Sequence, residues 1–182
     1  MKITHIASFA LIAASFAAPC FAGKVQTWYP EGTDIKKYKT YSWLPTKVLG
    51  KAGTVENDPV FDPIIRQAVG KELKRIGYTE VPQGGDLQVS VLGLSASVPQ
   101  LEAVIFAGYD PANWGTTTFT MGRYNKEGTL VVNLIDPATK KSAWAGMATE
   151  TLKTNYGAGK DKIPVAAERI FKNFPGKPVK MK

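Results

Sequence analysis

The chain has 182 residues, 23 Lys and Arg against 15 Asp and Glu, a formal net charge of +8, one histidine and one cysteine. His5 and Cys20 both fall in an N-terminal stretch that reads as an export signal, so the processed chain is expected to hold neither imidazole nor thiol. That excludes Ser-His-Asp and Cys-His nucleophilic catalysis, zinc and copper centres built on His and Cys, and an intramolecular disulfide.

In chain order, residues 1–5 form a short n-region carrying Lys2, and residues 6–18 form an Ala-rich apolar run. Cys20-Phe21-Ala22 places small residues at the two positions a signal peptidase reads, with Gly23 as the new N-terminus. The run is too short for a membrane span, which needs roughly 20 apolar residues. Cleavage removes 22 of the 182 residues and leaves 160, enough for one domain with a real core. Losing Lys2 leaves 22 basic against 15 acidic residues, a charge of about +7. Cys20 has a second reading, as the lipid-bearing first residue of a lipoprotein. Ala17 and Pro19 are poor lipobox residues, and proline restricts its own backbone and that of the residue before it. Contact with a membrane is expected only if Cys20 is lipidated.

Residues 23–36 are polar and turn-rich and read as a surface leader. Residues 39–44 alternate Lys39, Tyr41 and Trp43 against Thr40 and Ser42, a strand ended by Pro45. Residues 46–58 read as a loop with Gly50 and Gly53. Asp62-Pro63 opens a helix, with Asp62 as cap and Pro63 in the first turn. Ile65, Ala68, Val69, Leu73 and Ile76 form its apolar face, and Gly77 suits the left-handed position beyond its end. Residues 86–98 make a strand after the Gly84-Gly85 turn. Residues 99–125 are irregular, and long irregular connections usually carry function or motion. Residues 129–135 and 142–152 form a hairpin across the turn at Asp136-Pro137. Residues 161–174 form a second helix with Ile163, Ala167, Ile170, Phe171 and Phe174 on its stripe. The spacing therefore predicts an α+β domain over residues 37–175, a mostly antiparallel sheet of about four strands with two helices packed on one face. Residues 176–182 are a basic tail.

Several short signatures occur in a fixed order: Tyr41-Ser42-Trp43-Leu44-Pro45, Leu73 followed by Gly77-Tyr78, Asp86-Leu87-Gln88-Val89, residues 127–132 leading to Asp136, Trp144-Ala145-Gly146, and Ile170-Phe171 with Phe174-Pro175. Together they resemble a widespread domain-of-unknown-function family of small bacterial envelope proteins, most of them classed as lipoproteins. The family usually carries a basic residue where this chain has Ala145. The resemblance implies an α+β fold and an envelope location, and it implies no reaction.

Among candidate sites, Tyr109, Asp110, Asn113 and Trp114 combine two aromatics, an acid and an amide on an irregular segment. That set suits a glycan or a protein partner, or pins the segment to the domain. Asp58 and Asp62 lie close together at a helix start, where capping is their expected role. Residues 157–161 (Gly-Ala-Gly-Lys-Asp) only superficially resemble a phosphate loop, lacking its earlier glycine and its hydroxyl residue. No calcium loop occurs, and no metal or cofactor is expected. Glu102, Asp110 and Glu150 could serve a carboxylate hydrolase, but nothing in the sequence brings them together.

Basic residues are distributed over Lys36, Lys37 and Lys39, over Lys71, Lys74 and Arg75, over Lys140 and Lys141, and along the tail. They form a solvated surface or one attracted to an anionic envelope surface. An exported chain is not expected to meet nucleic acid. The expectation is a non-enzymatic cell-envelope protein, in the periplasm or at the outer-membrane periphery, that binds an envelope protein or glycan or acts as an accessory factor. The alternative is a carboxylate-dependent hydrolase of envelope polymers.

Overall fold

Leu130, Val132 and Leu134 alternate with Thr129, Val131 and Asn133, and both sets are buried. A strand hidden on both faces belongs in the middle of a sheet, and there it lies. The structure is a computed structural model, and it describes residues 24–50, 53–94, 127–151, 159–172 and 174–175. Its elements are β1 (Val25–Trp28), β2 (Thr40–Trp43), β3 (Lys47–Gly50), β4 (Gly53–Glu56), α1 (Asp62–Arg75), β5 (Thr79–Glu80), β6 (Leu87–Leu94), β7 (Glu127–Asp136), β8 (Lys141–Thr151) and α2 (Ile163–Lys172), with a 3-10 turn at Ile35–Lys37. The export segment with Cys20, the irregular segment with Tyr109, Asp110, Asn113 and Trp114, and the basic tail lie outside the described residues.

The α+β class holds, but the expected four-stranded, mostly antiparallel sheet is replaced by an eight-stranded mixed one. Its order is β1-β8-β7-β6-β2-β5, with β3 joining β6 beyond β2 and β4 joining β3. Three causes account for the difference. First, residues 25–28, read above as leader, pair antiparallel with β8 from Val25↔Ala148 to Trp28↔Ala145. Second, the loop of residues 46–58 contains the β3–β4 hairpin. Third, α1 lies between β2 and β6 and returns the chain to the same end of the sheet, so these neighbours run parallel, with Tyr41 opposite Leu87. β3 continues the parallel pairing with Lys47 opposite Leu92.

Both helices pack on one face. Ile65, Val69 and Leu73 of α1 and Ala167, Ile170 and Phe171 of α2 share a core with Leu87, Val89, Val91, Val132, Leu134 and Trp144. Trp144 is fully buried, with ring centroids 5.1 Å from Phe171 and 5.0 Å from Phe174. Two positions away, Gly146 gives α2 its close approach. A β-carbon there would collide with Ile170 and come within 2.7 Å of the Trp144 ring. This explains a Gly two places after the buried Trp.

The start of α1 differs in detail from the expected cap. Asp62 is the first helical residue, and the residue before it, Phe61, makes no side-chain cap. The capping carboxylate is Asp58, which accepts the N–H groups of Val60 at 2.9 Å and Phe61 at 3.1 Å. Gly77 ends the helix at φ +101°, a conformation that favours glycine. Among the described residues, no helix is long and apolar enough to cross a membrane.

Candidate functional site

The 137–140 turn of the β7–β8 hairpin marks what is called here the lower end of the sheet. Thr40, Thr79, Leu87, Asp136 and Lys141 lie at this end, as the strand registers require. The segment after β1 crosses it and enters β2. Tyr38 is buried there, and its hydroxyl donates to Asp136 Oδ2 at 2.9 Å, across 98 residues of sequence. Asp136 Oδ1 also accepts from Ala138 N at 2.8 Å and Thr139 N at 3.3 Å. Lys37 Nζ lies 3.8 Å from Asp136 and 4.6 Å above the Tyr38 ring. Burial pushes the Asp136 pKa up, but the Tyr38 hydroxyl, the two turn N–H groups and Lys37 outweigh it and hold the carboxyl below its ordinary value. Burial, chiefly, raises the Tyr38 phenol. Tyr78 donates to Ile35 O at 2.9 Å, and burial pushes its phenol to about 12. These tyrosines are neutral clamps, and neither is poised to move a proton near neutral pH.

The upper end carries a second polar network. Asp62 accepts the Thr46 hydroxyl at 2.6 Å and the Arg66 Nε at 2.8 Å. The Arg66 guanidinium lies 4.9 Å above the Trp43 ring, and Trp43 meets Tyr41 edge-on at 5.8 Å. This network ties the start of α1 to the β2–β3 bend. Trp43 is only half-buried, whereas Trp144 is the full core anchor.

The described carboxylates mostly serve structure. Asp86 accepts from Lys39 N and Thr40 N, and these bonds hold its pKa below the ordinary value. Glu72 pairs with Arg75, Glu56 with Lys47 and Glu80 with the Tyr41 hydroxyl. Glu150, a candidate acid in the sequence, is bound by Arg169 of α2. Glu102 and Asp110 lie outside the described residues. Among the described residues, no group of three or more His, Cys, Asp or Glu could hold a metal ion. At the start of α2, Gly159 O accepts the N–H groups of Lys162 and Ile163, so the helix opens on its own turn.

The face of the sheet away from α1 and α2 is mixed. Leu92, Val131, Ala145 and Met147 form a small apolar cluster there, bordered by Trp28, Leu49 and Leu94. Beside it Ser142 donates to Asn133 Oδ1 at 2.7 Å, while Asn133 Nδ2 is buried without a partner. The predicted cluster Tyr109, Asp110, Asn113 and Trp114 belongs to the segment that leaves β6 after Leu94 and returns at Glu127. Both points are at the upper end, since Leu94 pairs with Thr129. The Tyr38–Asp136 pair was not legible in the sequence, where Asp136 read only as a turn former. Nothing local connects two residues so far apart.

The architecture is an α+β domain in which two helices cover one face of a mixed sheet. The chain belongs to the family described as a domain of unknown function, DUF4136, whose model matches residues 25–176. Among curated proteins none matches the sequence. Among solved structures it is similar to a DUF4136 family protein from Bacteroides thetaiotaomicron, at 14% identity, 84% of this chain, 96% of that chain and a TM-score of 0.57. A PDZ domain protein from Parabacteroides distasonis is similar at 14% identity and a TM-score of 0.54, over 86% of this chain and 37% of that one. A PelC dodecamer from Paraburkholderia phytofirmans gives 10% identity and a TM-score of 0.50, covering 85% of this chain and 99% of that one. At such identities the likeness concerns the fold alone.

Proposed function

We propose that this chain is an exported, non-enzymatic protein of the bacterial cell envelope, in the periplasm or at the outer-membrane periphery, that acts by binding an envelope protein or glycan. The observation that carries this reading is the engagement of its acids. Asp58, Asp62, Glu72, Asp86, Asp136 and Glu150 each hold a turn, a helix start or an ion pair. A carboxylate hydrolase needs two acids facing one cleft across a substrate, and these face backbone N–H groups, hydroxyls and arginines. The binding elements are Tyr109, Asp110, Asn113 and Trp114, whose aromatic and amide groups suit a sugar ring or a protein surface. The test uses the processed chain from Gly23 with purified envelope glycan strands and with envelope proteins. The expected result is saturable binding with no new product by mass spectrometry, weakened about tenfold in Trp114→Ala at unchanged thermal stability. Cleaved glycan would overturn the reading in favour of a hydrolase.

A further inference from the structure

The basic residues of this chain look scattered in sequence, but the fold gathers several of them. The segment before β2 carries Lys36 and Lys39, and the β7–β8 turn carries Lys140 and Lys141. The Tyr38–Asp136 bond joins these two pieces at the lower end of the sheet. α1 ends there with Lys74, immediately before Tyr78, whose hydroxyl is bonded to Ile35 O. α2 ends there too, because Phe174 meets the Tyr78 ring at 6.1 Å, which brings Lys172 to the same pole.

All six of these lysines are exposed, and none has an ion pair among the described residues. Three acids at this end are engaged by backbone N–H groups or a hydroxyl, with Asp136 buried and Asp34 and Asp86 exposed. Asp34 accepts from Lys36 N, Asp86 from Lys39 N and Thr40 N, and Asp136 from Tyr38, Ala138 and Thr139. These carboxylates are bonded to the turns, and the lysines of this end outnumber them. Glu31 and Asp34 are exposed acids of the crossing segment, and Glu80 of β5 is exposed beside them. Helix dipoles account for Lys74 and Lys172, which sit at helix C-termini. They do not account for Lys140 and Lys141, which sit in a hairpin. Tyr29, half-exposed, follows β1 where the chain runs toward this end.

We propose that this lower end docks on an anionic phospholipid bilayer, with lysines over the headgroups and Tyr29 at the interface, and that it does so without a lipid on Cys20. Lysine is a compact, mobile point charge suited to a diffuse anionic surface, and tyrosine favours the membrane–water boundary. The lysines come from four separate elements at one end of the domain, an arrangement that meets a surface. The polarity of the sheet separates this from lipid anchoring. Val25 pairs with Ala148, toward the upper end, so the described chain enters the sheet from the opposite pole. The inference rests on the envelope location proposed above, but the assay uses purified protein and succeeds or fails independently of export.

The processed chain from Gly23 is sedimented with vesicles of equal parts phosphatidylglycerol and phosphatidylcholine, and with phosphatidylcholine alone. Binding is expected only to the anionic vesicles, falling as salt rises. Replacing Lys36, Lys140 and Lys141 together by Gln should lower partitioning on the order of tenfold or more. A matched variant replacing Lys24, Lys160 and Lys162, away from this pole, removes the same charge and should stay within about twofold. Equal losses in the two variants would show that net charge alone is responsible and would overturn the proposal. So would a wild-type chain that ignores anionic vesicles, including one that binds soluble polyphosphate instead.

Discussion

Removing the Tyr38 hydroxyl and the Asp136 carboxylate, singly and together, tests how the lower end is held. Tyr38→Phe deletes a donor 2.9 Å from Asp136 Oδ2 and leaves the carboxylate with its turn N–H groups and Lys37. A hydrogen bond to a charged group contributes about 1.5 to 3 kcal/mol, and water can partly replace this one, so a loss of about 1 to 2 kcal/mol is expected. Asp136→Ala removes more. It leaves the Tyr38 hydroxyl buried without an acceptor and releases two turn N–H groups, for a total of about 2 to 4 kcal/mol. Because the two side chains share one bond, their effects should not add. Urea unfolding of the four proteins should give a coupling energy of about 1 to 2 kcal/mol. A coupling below about 0.5 kcal/mol would mean that the bond contributes nothing specific and would refute the reasoning.

Three further outcomes follow from the same structure. Asp136 has a folded pKa below its unfolded value, so its contribution is complete above about pH 3.9 and is lost as pH falls through the folded value. The wild type should therefore lose more stability than Asp136→Ala on acidification below that point, as measured by urea titration at each pH. A β-carbon on Gly85 would lie 2.5 Å from the Tyr41 backbone, whereas one on Gly84 meets nothing within 4 Å. Gly85→Ala should lower the melting temperature by several degrees, at about 1 to 3 kcal/mol. Gly84→Ala should cost only the strain of its φ of +70°, about 1 kcal/mol. Trp144→Ala opens the packing against Phe171 and Phe174 and should cost about 3 to 5 kcal/mol in urea unfolding.

Where one residue run carried its own periodicity, the sequence was sufficient. The apolar steps from Ile65 to Leu73 located α1, and the β-prone run of residues 129–135 before the turn at Asp136-Pro137 located the β7–β8 hairpin. What escaped was whatever depends on a distant partner. β1 is four residues long, and nothing local distinguishes Val25–Trp28 from a leader until β8 lies beside it. Lys47–Gly50 and Gly53–Glu56 face each other at glycines that read as a loop, and β3 is held by parallel pairing with β6. Isolated hairpins of this size are marginal in water. The parallel pairing of β2 with β6 was legible in principle, since a helix between adjacent strands forces it. The basic pole could not be read from sequence because one buried hydroxyl, on Tyr38, brings its two halves together.

Export is the claim on which the envelope reading rests, and the mass of the processed protein tests it most directly. Intact mass spectrometry of the chain from a fractionated bacterial cell should find, in the envelope fraction, a protein beginning at Gly23 and lacking His5 and Cys20. A diacylglyceryl group on Cys20 would contradict release. A cytoplasmic chain still carrying residues 1–22 would contradict the account altogether.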